Sequence, residues 1–567
     1  MQAPIGRHFA VDSPSGRVDA AVALGVAAGL LAVYQVFLWP DVPALGDSAK
    51  FQALAATLGT AHSPGAPLWI LLAHVFGKVL PWGSPAHAAN LLTALFSVAG
   101  TAFLFGSLRQ LEVPRAAAAV GTLAFGLTPT LWSQSVVAEV YSLGYLFLAA
   151  ETFLLLRWRR RVAEGDPRDT DLHLVLALYV LSFTNHPTAL CLGPGILVFV
   201  LLVRRRSLWR PATLAVLALS AATALGVYSY VLWRSRSPSV PFLEMQAADL
   251  GDLLRQLVAE PRRRHIFQWD PAVVLGQRLP ATLGRLGQEF LFLLPVALLG
   301  LGRKPRGVSS LLCLFALGNL AFALTFSVPD SFVYFLPVYF VVALLLGMGW
   351  DRLQGFFKHK RLLAAAGLLG ALLLGAFQAP GLLQQKRFRE AESRRLDLLF
   401  ERIGDRPALL LSDRYDASMG LLYRSLLREP RITMHHLPPV SLELPLPLGP
   451  LRRYLSEDLP LRSRNYVRPL PPGLPVYCAC GELERWQPHG IDARDLGGGL
   501  ARLAPSVAAG PPPPEARLVY RLETVPDLVA ALDRLRGDPQ DPGSYSRALR
   551  LGRAAGVEER AGDAACF

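Results

Sequence analysis

An acidic residue and a histidine lie in the first polar stretch of this 567-residue chain, just after its first apolar segment. Asp47 stands within residues 46–51, and His62 follows in a loop stiffened by Pro64 and Pro67. A carboxylate at the face of a membrane is costly unless it is paired or used, so Asp47 is the first candidate for a chemical role. As a general base it would take a proton from a hydroxyl group.

Three further polar insertions fall at the ends of predicted apolar segments, on the same side as Asp47. They are Glu139 with Tyr141, Asn185 with His186, and Asp330 with Tyr334. Polar groups at membrane depth persist when they face a shared cavity. Each alone is also compatible with a hydrated helix end at the interface, but their common level favours a cavity lined by all four insertions.

The elements that position these residues are predicted from hydropathy. The chain is 52% hydrophobic and 18% charged, against about a quarter charged in soluble proteins. Eleven apolar runs are predicted to span the membrane, most of them long enough for a ~30 Å hydrocarbon core. They are 19–39, 86–108, 116–134, 138–156, 172–187, 188–203, 211–233, 288–302, 307–326, 332–350 and 362–379. The first is too long for a signal-peptide core, so we expect it to remain as an anchor.

Short arginine-rich loops predict the orientation. The loops 157–171, 204–210, 303–306 and 351–361 are basic, whereas those near 129–137, 185–187 and 327–331 carry no Lys or Arg. The positive-inside rule then puts the N-terminus in the cytoplasm and the C-terminal region outside. Segment 68–80, ~20 Å long as a helix, is predicted to lie in the interface within one outer loop, 40–85, with Trp69 and Trp82 at the headgroups. A twelfth span there would invert every later loop.

The second large outer loop, 234–287, is basic. It contains an amphipathic stretch at 250–258, and its arginines include Arg234, Arg236, Arg263 and Arg264. Such arginines suit a donor phosphate or diphosphate, and ordinary phospholipid contact is the alternative. The net charge of +14 follows largely from basic helix ends beside anionic lipid, so no nucleic-acid partner is predicted.

The composition changes after residue 380, which predicts a transmembrane domain at 1–380 and an outer soluble α/β domain at 383–567. Within that domain we predict strands at 406–413, 431–437 and 476–480, helices at 416–428 and 525–537, and a stiff linker at 510–514. Cys478 and Cys480 permit a disulfide, with Cys566 as another partner. A metal site is not predicted, because the C-x-C lacks a second pair of ligands.

A carboxylate at an outer cavity, with basic groups nearby, suits group transfer from a lipid-phosphate donor. Asp47 would deprotonate an acceptor hydroxyl while cationic groups stabilise the leaving phosphate. The donor stores the energy of the reaction, so neither a nucleotide motif nor a cofactor is expected. The lipid tail would need an apolar groove between helices.

Several stretches resemble the bacterial relatives of transmembrane protein 260, a eukaryotic protein O-mannosyltransferase. They are GDSAKF, LGTAHSPGAPLW, NLLTALF, AEVYSL, NHPT and DSFVYFLPVY, all between residues 40 and 350. The resemblance implies a GT-C glycosyltransferase fold, a polyprenyl-phosphate-sugar donor, and a metal-independent inverting transfer to a protein or glycan hydroxyl. It also implies that Asp47 is the catalytic base and that His62, Glu139, Tyr141 and His186 line the site.

Two positions depart from the family pattern. Lys50 stands where many relatives have an acid, and Ser63 where they have a second proline. Lys50 either holds the donor phosphate or pairs with Asp47 one helical turn away. The pairing would lower the pKa of Asp47 and make it a weaker base.

The sequence therefore predicts a bacterial inner-membrane glycosyltransferase that uses an undecaprenyl-phosphate-linked sugar, with a periplasmic C-terminal domain that presents or recognises the acceptor. A lipid or glycan transporter is the first alternative. It would show paired half-repeats and access from both sides, whereas the polar sites here share one side and no repeat is evident. The second alternative is an assembly scaffold related to the family, which Lys50 keeps open.

Overall fold

The structure is a computed structural model of the full chain. It describes residues 14–42, 47–80, 83–237, 242–257, 267–302, 305, 307–326, 328, 330–405, 407–412, 415–428, 430–436, 476–479, 491–497 and 500–505. The predicted linker at 510–514, the predicted helix at 525–537, Trp82, Cys480 and Cys566 lie outside these residues.

The described residues are mainly helical. Their α-helices are α1 (Pro14–Phe37), α2 (Asp47–Thr57), α3 (Pro67–Val79), α4 (Pro85–Gln110), α5 (Arg115–Gly126), α6 (Pro129–Ser135), α7 (Tyr141–Ala163), α8 (Thr170–Ser182), α9 (Gly193–Arg204), α10 (Pro211–Ser235), α11 (Leu250–Leu257), α12 (Pro271–Val273), α13 (Leu279–Phe290), α14 (Leu294–Leu299), α15 (Val308–Thr325), α16 (Leu336–Gly355), α17 (Lys360–Ile403) and α18 (Tyr415–Leu427). Short 3₁₀ helices cover Pro187–Leu192, Arg205–Trp209, Leu291–Leu293 and Ser331–Phe335, and Val274–Arg278 is a π-helical turn.

Eight helical stretches in the described part of the chain are long and apolar enough to cross a membrane. They are Ser15–Phe37, Pro85–Gln110, Pro187–Trp209, Pro211–Ser235, Pro271–Leu299, Val308–Thr325, Ser331–Gly355 and Lys360–Ile403. The chain is therefore a multi-pass membrane protein. The other three predicted spans coincide with α5, α7 and α8. Helices α5 and α8 have only 12 and 13 residues, roughly 20 Å, and α7 ends in arginines. By length and composition these three helices do not qualify as membrane spans, so the predicted number of eleven spans is not reproduced.

Two predicted boundaries differ from the structure. Helix α17 has 44 residues, about 66 Å at 1.5 Å per residue, and continues through Pro380 past the predicted domain boundary at 380–383. A proline inside a helix removes one backbone hydrogen bond and does not have to end the helix. The predicted outer loop 234–287 is also shorter than expected, because the helical stretch that ends at Leu299 already begins at Pro271.

Helix α3 matches the predicted interfacial segment, but one of its tryptophans does not lie where we expected. Val75 and Val79 are exposed, as a lipid-facing side requires, whereas Trp69 is fully buried together with Ala73. The Trp69 ring packs against Phe51 of α2, with ring centroids 5.3 Å apart. The predicted headgroup position of Trp69 is therefore wrong, because this residue belongs to the buried face of the helix.

The described part of the C-terminal region contains a five-stranded mixed sheet formed by β1 (Ala408–Ser412), β2 (Ile432–His436), β3 (Val476–Ala479), β4 (Ile491–Gly497) and β5 (Leu500–Pro505). The strand order is β2-β1-β3-β5-β4. Strand β1 pairs in parallel with β2 and β3, while β5 is antiparallel to β3 and β4. The first three strands and α18 match the predicted elements, and β4 and β5 were not predicted.

Two large hydrophobic clusters organise the molecule. One fills the helical bundle around α4, α5, α7, α15 and α16. The other joins α2 and α3 to the second half of α17, to α18 and to β1. Helix α2, which begins at Asp47, therefore shares a core with the C-terminal sheet region, and this packing fixes the position of its first turn.

Candidate active site

Asp47 is the first residue of α2, and its carboxylate is about one-quarter exposed. A negative charge in the first turn of a helix is favoured by the helix dipole. The residues from Ser48 to Ala55 are buried, so the helix DSAKFQALAAT is packed in the core and Asp47 is its accessible acid. The order of the residues thus places Asp47 at the edge of the second hydrophobic cluster.

Lys50, one turn along α2, is fully buried and lies among polar side chains. Its Nζ lies 3.1 Å from Asp47 Oδ1, 3.1 Å from Glu244 Oε2 and 2.6 Å from His62 Nδ1. The sequence allowed Lys50 either to hold the donor phosphate or to pair with Asp47. The structure contains the pairing with Asp47. A buried ammonium requires such partners, because an uncompensated charge in the interior is strongly unfavourable.

Glu244 comes from the loop predicted to be the second outer loop, and it was not among the predicted site residues. Its Oε2 accepts the backbone N–H of His62 at 2.7 Å, and its own N–H donates to the Thr60 carbonyl at 2.9 Å. Burial favours the neutral form of this acid, but Lys50 and His62 outweigh that effect and hold the pKa of Glu244 well below its usual range. Glu244 is therefore an ionised partner of Lys50.

Glu139 adjoins this group from the connection between α6 and α7. Ser48 Oγ donates a hydrogen bond of 2.9 Å to Glu139 Oε1. Burial raises the pKa of Glu139 to about 8, and the negative charges of Asp47 and Asp330 add to the increase. At neutral pH Glu139 is thus largely a neutral carboxylic acid, able to donate a hydrogen bond.

A second polar group lies on the other side of Glu139. Tyr141 Oη donates to Asp330 Oδ2 at 3.1 Å and lies 3.3 Å from Tyr334 Oη. The rings of Tyr141 and Tyr334 meet edge to face at 5.7 Å, and the His186 ring is 6.0 Å from Tyr141 and 5.8 Å from Tyr334. Aromatic faces together with hydroxyl and carboxylate groups are suited to binding a sugar.

A largely apolar cavity of about 620 Å³, its open mouth included, begins at these aromatic residues. Its walls come from α7, the connection between α8 and α9, α15, and the start of α16. Tyr141, His186 and Tyr334 line it together with Asn185, whose Nδ2 donates to the Val140 carbonyl at 3.1 Å. Its lining presents few polar groups, as the linings of ligand sites commonly do.

The predicted phosphate-binding arginines have different environments. Arg234 is buried, and its Nε donates to the Leu58 carbonyl at 2.7 Å, near the C-terminal end of α2. Arg236 is exposed and donates to the Ala248 carbonyl at 3.2 Å. Arg263 and Arg264 lie outside the described residues. The guanidinium of Arg234 is thus used to hold the backbone that follows α2.

The structure brings the predicted residues into two neighbouring groups. Asp47, Lys50 and His62 form the first, whereas Tyr141, His186, Asp330 and Tyr334 form the second, and Glu139 lies between them. Sequence reasoning missed Ser48 and Glu244. The available signal for Glu244 was an acid flanked by the apolar residues Leu243 and Met245.

Comparison with known sequences identifies the region that contains these groups. The family described as the protein O-mannosyl-transferase TMEM260 N-terminal domain matches residues 47–209, starting at Asp47. The mouse (Mus musculus) protein O-mannosyl-transferase TMEM260 is 34% identical over 152 residues, which are 27% of this chain and 21% of the mouse protein. The Dictyostelium discoideum protein of the same name is 23% identical over 211 residues, 35% of this chain and 25% of that protein.

Comparison with solved structures identifies the fold. ArnT from Cupriavidus metallidurans bound to undecaprenyl phosphate superimposes with a TM-score of 0.57 at 12% identity, over 88% of this chain and 100% of that chain. The apo state of the same protein gives a TM-score of 0.53 over 88% and 99% of the two chains. Residues 47–209 are similar to the TMEM260 N-terminal domain, and the chain has the GT-C fold.

The resemblance seen in the sequence is thereby confirmed, as is the helical GT-C fold class. The chain spans only 21% and 25% of the lengths of the mouse and Dictyostelium relatives. Asp47, Lys50, His62, Glu139, Tyr141, Asn185 and His186 all fall inside the matched residues 47–209. Asp330, Tyr334 and Glu244 lie beyond them and complete the site from later elements.

Proposed function

We propose that this protein is a membrane glycosyltransferase that moves a sugar from a polyprenyl-phosphate donor to a hydroxyl of a protein or glycan, with Asp47 as the general base. The observation that carries the proposal is an accessible carboxylate at the first residue of a buried helix, within the matched domain and next to an aromatic-lined apolar cavity. Both curated relatives are named as mannosyl-transferases, and ArnT was solved with undecaprenyl phosphate.

The reaction would run as one displacement. Asp47 removes the proton of the acceptor hydroxyl, the oxygen attacks C1 of the sugar, and the bond between C1 and the phosphate oxygen breaks on the opposite face. The sugar leaves the lipid phosphate with inversion, and the polyprenyl phosphate carries away the electron pair. Tyr141, His186, Asp330 and Tyr334 would bind the sugar hydroxyls, and Glu139, as a neutral acid, would donate a hydrogen bond to the sugar or acceptor.

The polyprenyl tail would occupy the apolar cavity beside α7, whose walls include Val140, Phe147 and Leu192. The leaving phosphate would be held by Arg236 and by the pair at 263–264, since Lys50 already contacts two carboxylates. The active face would be periplasmic and the N-terminus cytoplasmic, as the arginine distribution predicts. The C-terminal region would recognise the acceptor.

The test is transfer by the purified full-length protein in lipid nanodiscs, with radiolabelled polyprenyl-phosphate sugars and extracts of acceptor. Asp47→Asn is expected to lower the rate by 10²-fold or more, because general-base catalysis contributes about 10²–10⁴. The matched control is Asp270→Asn, since Asp270 also begins a helix and accepts the N–H of Ala272 at 2.9 Å, a capping role that Asn fills equally well.

The proposal fails if Asp47→Asn retains the wild-type rate. Flux of the labelled lipid-linked sugar across the bilayer without a glycosylated product would instead indicate a transporter. The absence of both transfer and flux, with a stable complex between this protein and other glycosylation proteins, would indicate a scaffold.

A further inference from the structure

Glu244 reaches the first polar group across a long stretch of sequence. The segment that carries it is fastened to the backbone after α2, because Glu244 N–H donates to the Thr60 carbonyl and Thr60 Oγ1 donates to the Met245 carbonyl. Tyr230 Oη, from α10, donates to the Gly59 carbonyl at 2.8 Å. The second outer loop therefore forms one wall of the site that holds Asp47, and Glu244 is the acid of that wall.

Two carboxylates share one buried ammonium. Asp47 Oδ1 and Glu244 Oε2 each lie 3.1 Å from Lys50 Nζ, so these two oxygens are at most twice that distance apart. Two carboxylates at such a separation raise the pKa of one another. An ion pair of Asp47 with Lys50, without Glu244, would lower the pKa of Asp47. Glu244 therefore opposes the effect of Lys50 on Asp47.

His62 lies against the same three groups. Its Nδ1 is 2.6 Å from Lys50 Nζ, 3.5 Å from Glu244 Oε2 and 3.8 Å from Asp47 Oδ2. Glu244 Oε2 also accepts the His62 N–H, so Glu244 fixes this histidine beside Asp47.

Two other acids lie near Asp47. Glu139 approaches through Ser48, and Asp330 acts on Glu139. Among the described residues, Glu244 is the second acid that contacts the ammonium of Lys50 directly.

We propose that Glu244 is a positioning residue that keeps Asp47 basic, by drawing the ammonium of Lys50 away from it and by fixing His62 through the His62 N–H. The inference rests on the proposed role of Asp47 as base. It explains how a lysine adjacent to the base is tolerated in this chain, since a second acid from the other outer loop offsets its charge.

The experiment is the pH dependence of kcat in nanodiscs for wild type, Glu244→Gln and Glu244→Asp. Glu244→Gln is expected to move the acid limb of the profile to lower pH by about one unit, the size of shift that a neighbouring charge produces. The plateau is expected to fall about tenfold, because a weaker base is a poorer catalyst. Glu244→Asp keeps the charge and is expected to keep the acid limb close to that of wild type.

A merely structural role would lower the plateau in both variants and leave the acid limb in place, and that result overturns the inference. Thermal unfolding of all three proteins shows whether each variant is folded, and Glu244→Asp supplies the comparison if Glu244→Gln unfolds. An unchanged acid limb together with an inactive Asp47→Asn overturns only the role of Glu244. A fully active Asp47→Asn overturns the proposed function and the inference together.

Discussion

Ser48 and Glu139 connect the two polar groups of the site. The hydroxyl of Ser48 donates to Glu139 Oε1 at 2.9 Å, across 91 positions of sequence, and so joins the first turn of α2 to the connection before α7. On one side of this bond lies Asp47 with Lys50, and on the other side lies Tyr141, two residues after Glu139. The hydrogen bond thus places the proposed base and the proposed sugar-binding residues in one continuous surface.

The protonation of Glu139 is expected to make stability depend on pH. Its pKa is raised to about 8, so the folded state keeps a proton that the unfolded chain has already lost. The stabilisation that this proton on Glu139 provides is fully present below about pH 4.5 and is lost as pH rises through 8. Glu139→Gln should remove this loss and raise stability at pH 8–9 by up to about 2 kcal/mol, given that the residue is half-buried.

Thermal unfolding between pH 5 and 9 measures this effect. The control is Glu401→Gln, an exposed position on α17, which should show the wild-type slope. Equal slopes for wild type and Glu139→Gln would mean that Glu139 is already ionised at neutral pH, and would remove its proposed role as a hydrogen-bond donor.

The Tyr141 hydroxyl is expected to contribute to catalysis through Asp330. Tyr141→Phe keeps the ring against His186 and Tyr334 but removes the donor to Asp330 Oδ2. Hydrogen bonds to charged groups contribute roughly 1.5–3 kcal/mol, so kcat/KM should fall by about tenfold or more. Initial rates at several donor concentrations measure this change.

Tyr339→Phe is the matched control for Tyr141→Phe. Tyr339 is fully buried in α16, and its hydroxyl has no hydrogen-bond partner among the residues that the structure describes. Its removal should leave kcat/KM unchanged and stability equal or slightly higher. A similar loss of activity in both variants would show that the effect of Tyr141→Phe is not specific to its contact with Asp330.

The sequence was sufficient to predict much of this architecture. Long apolar runs and arginine-rich loops located the helices of the bundle, and the common level of the polar insertions predicted that Glu139, His186 and Asp330 would approach one another. The physical basis is that a bilayer fixes the depth of each helix end, so residues far apart in sequence are predicted at the same height.

The sequence was not sufficient to predict which residues surround Asp47. Glu244 and His62 are 182 positions apart, and their contact depends on how the second outer loop lies against the first, which no helical period or hydropathy pattern encodes. Trp69 shows the same limit. Its side chain suits either a headgroup belt or a core, and only the position of α2 against α3 decides between them.

Two arginines of α18 should differ in their contribution to stability. Arg424 is buried and donates to two residues of α17. Its Nε lies 2.6 Å from Asp397 Oδ1, and its Nη2 lies 2.9 Å from the Ser393 carbonyl oxygen. Removing it leaves buried acceptors unpaired at the junction of α17 and α18, so Arg424→Ala should cost about 1–3 kcal/mol. Arg428 is about one-third exposed and pairs with Asp41, so Arg428→Ala should cost less than about 1 kcal/mol.

Thermal unfolding with limited proteolysis of the C-terminal region measures both arginine variants. Because α18 shares a hydrophobic cluster with α2, Arg424→Ala should also lower transfer activity, and Arg428→Ala should not. The opposite ranking of the two variants would mean that the ion pair at the surface, and not the buried one, holds the C-terminal region against the site.

The close approach of α14 and α16 depends on two glycines. A Cβ added at Gly349 would overlap the Val296 carbonyl oxygen, and one added at Gly300 would overlap the Leu345 carbonyl oxygen. Small residues at such crossings let membrane helices pack backbone to backbone. Gly349→Ala should therefore separate the helices and cost about 1–3 kcal/mol, whereas Gly355→Ala, at the end of α16 with open space around it, should be neutral. Unfolding temperatures in one detergent compare the two, and equal values would show that the helices can move apart without loss.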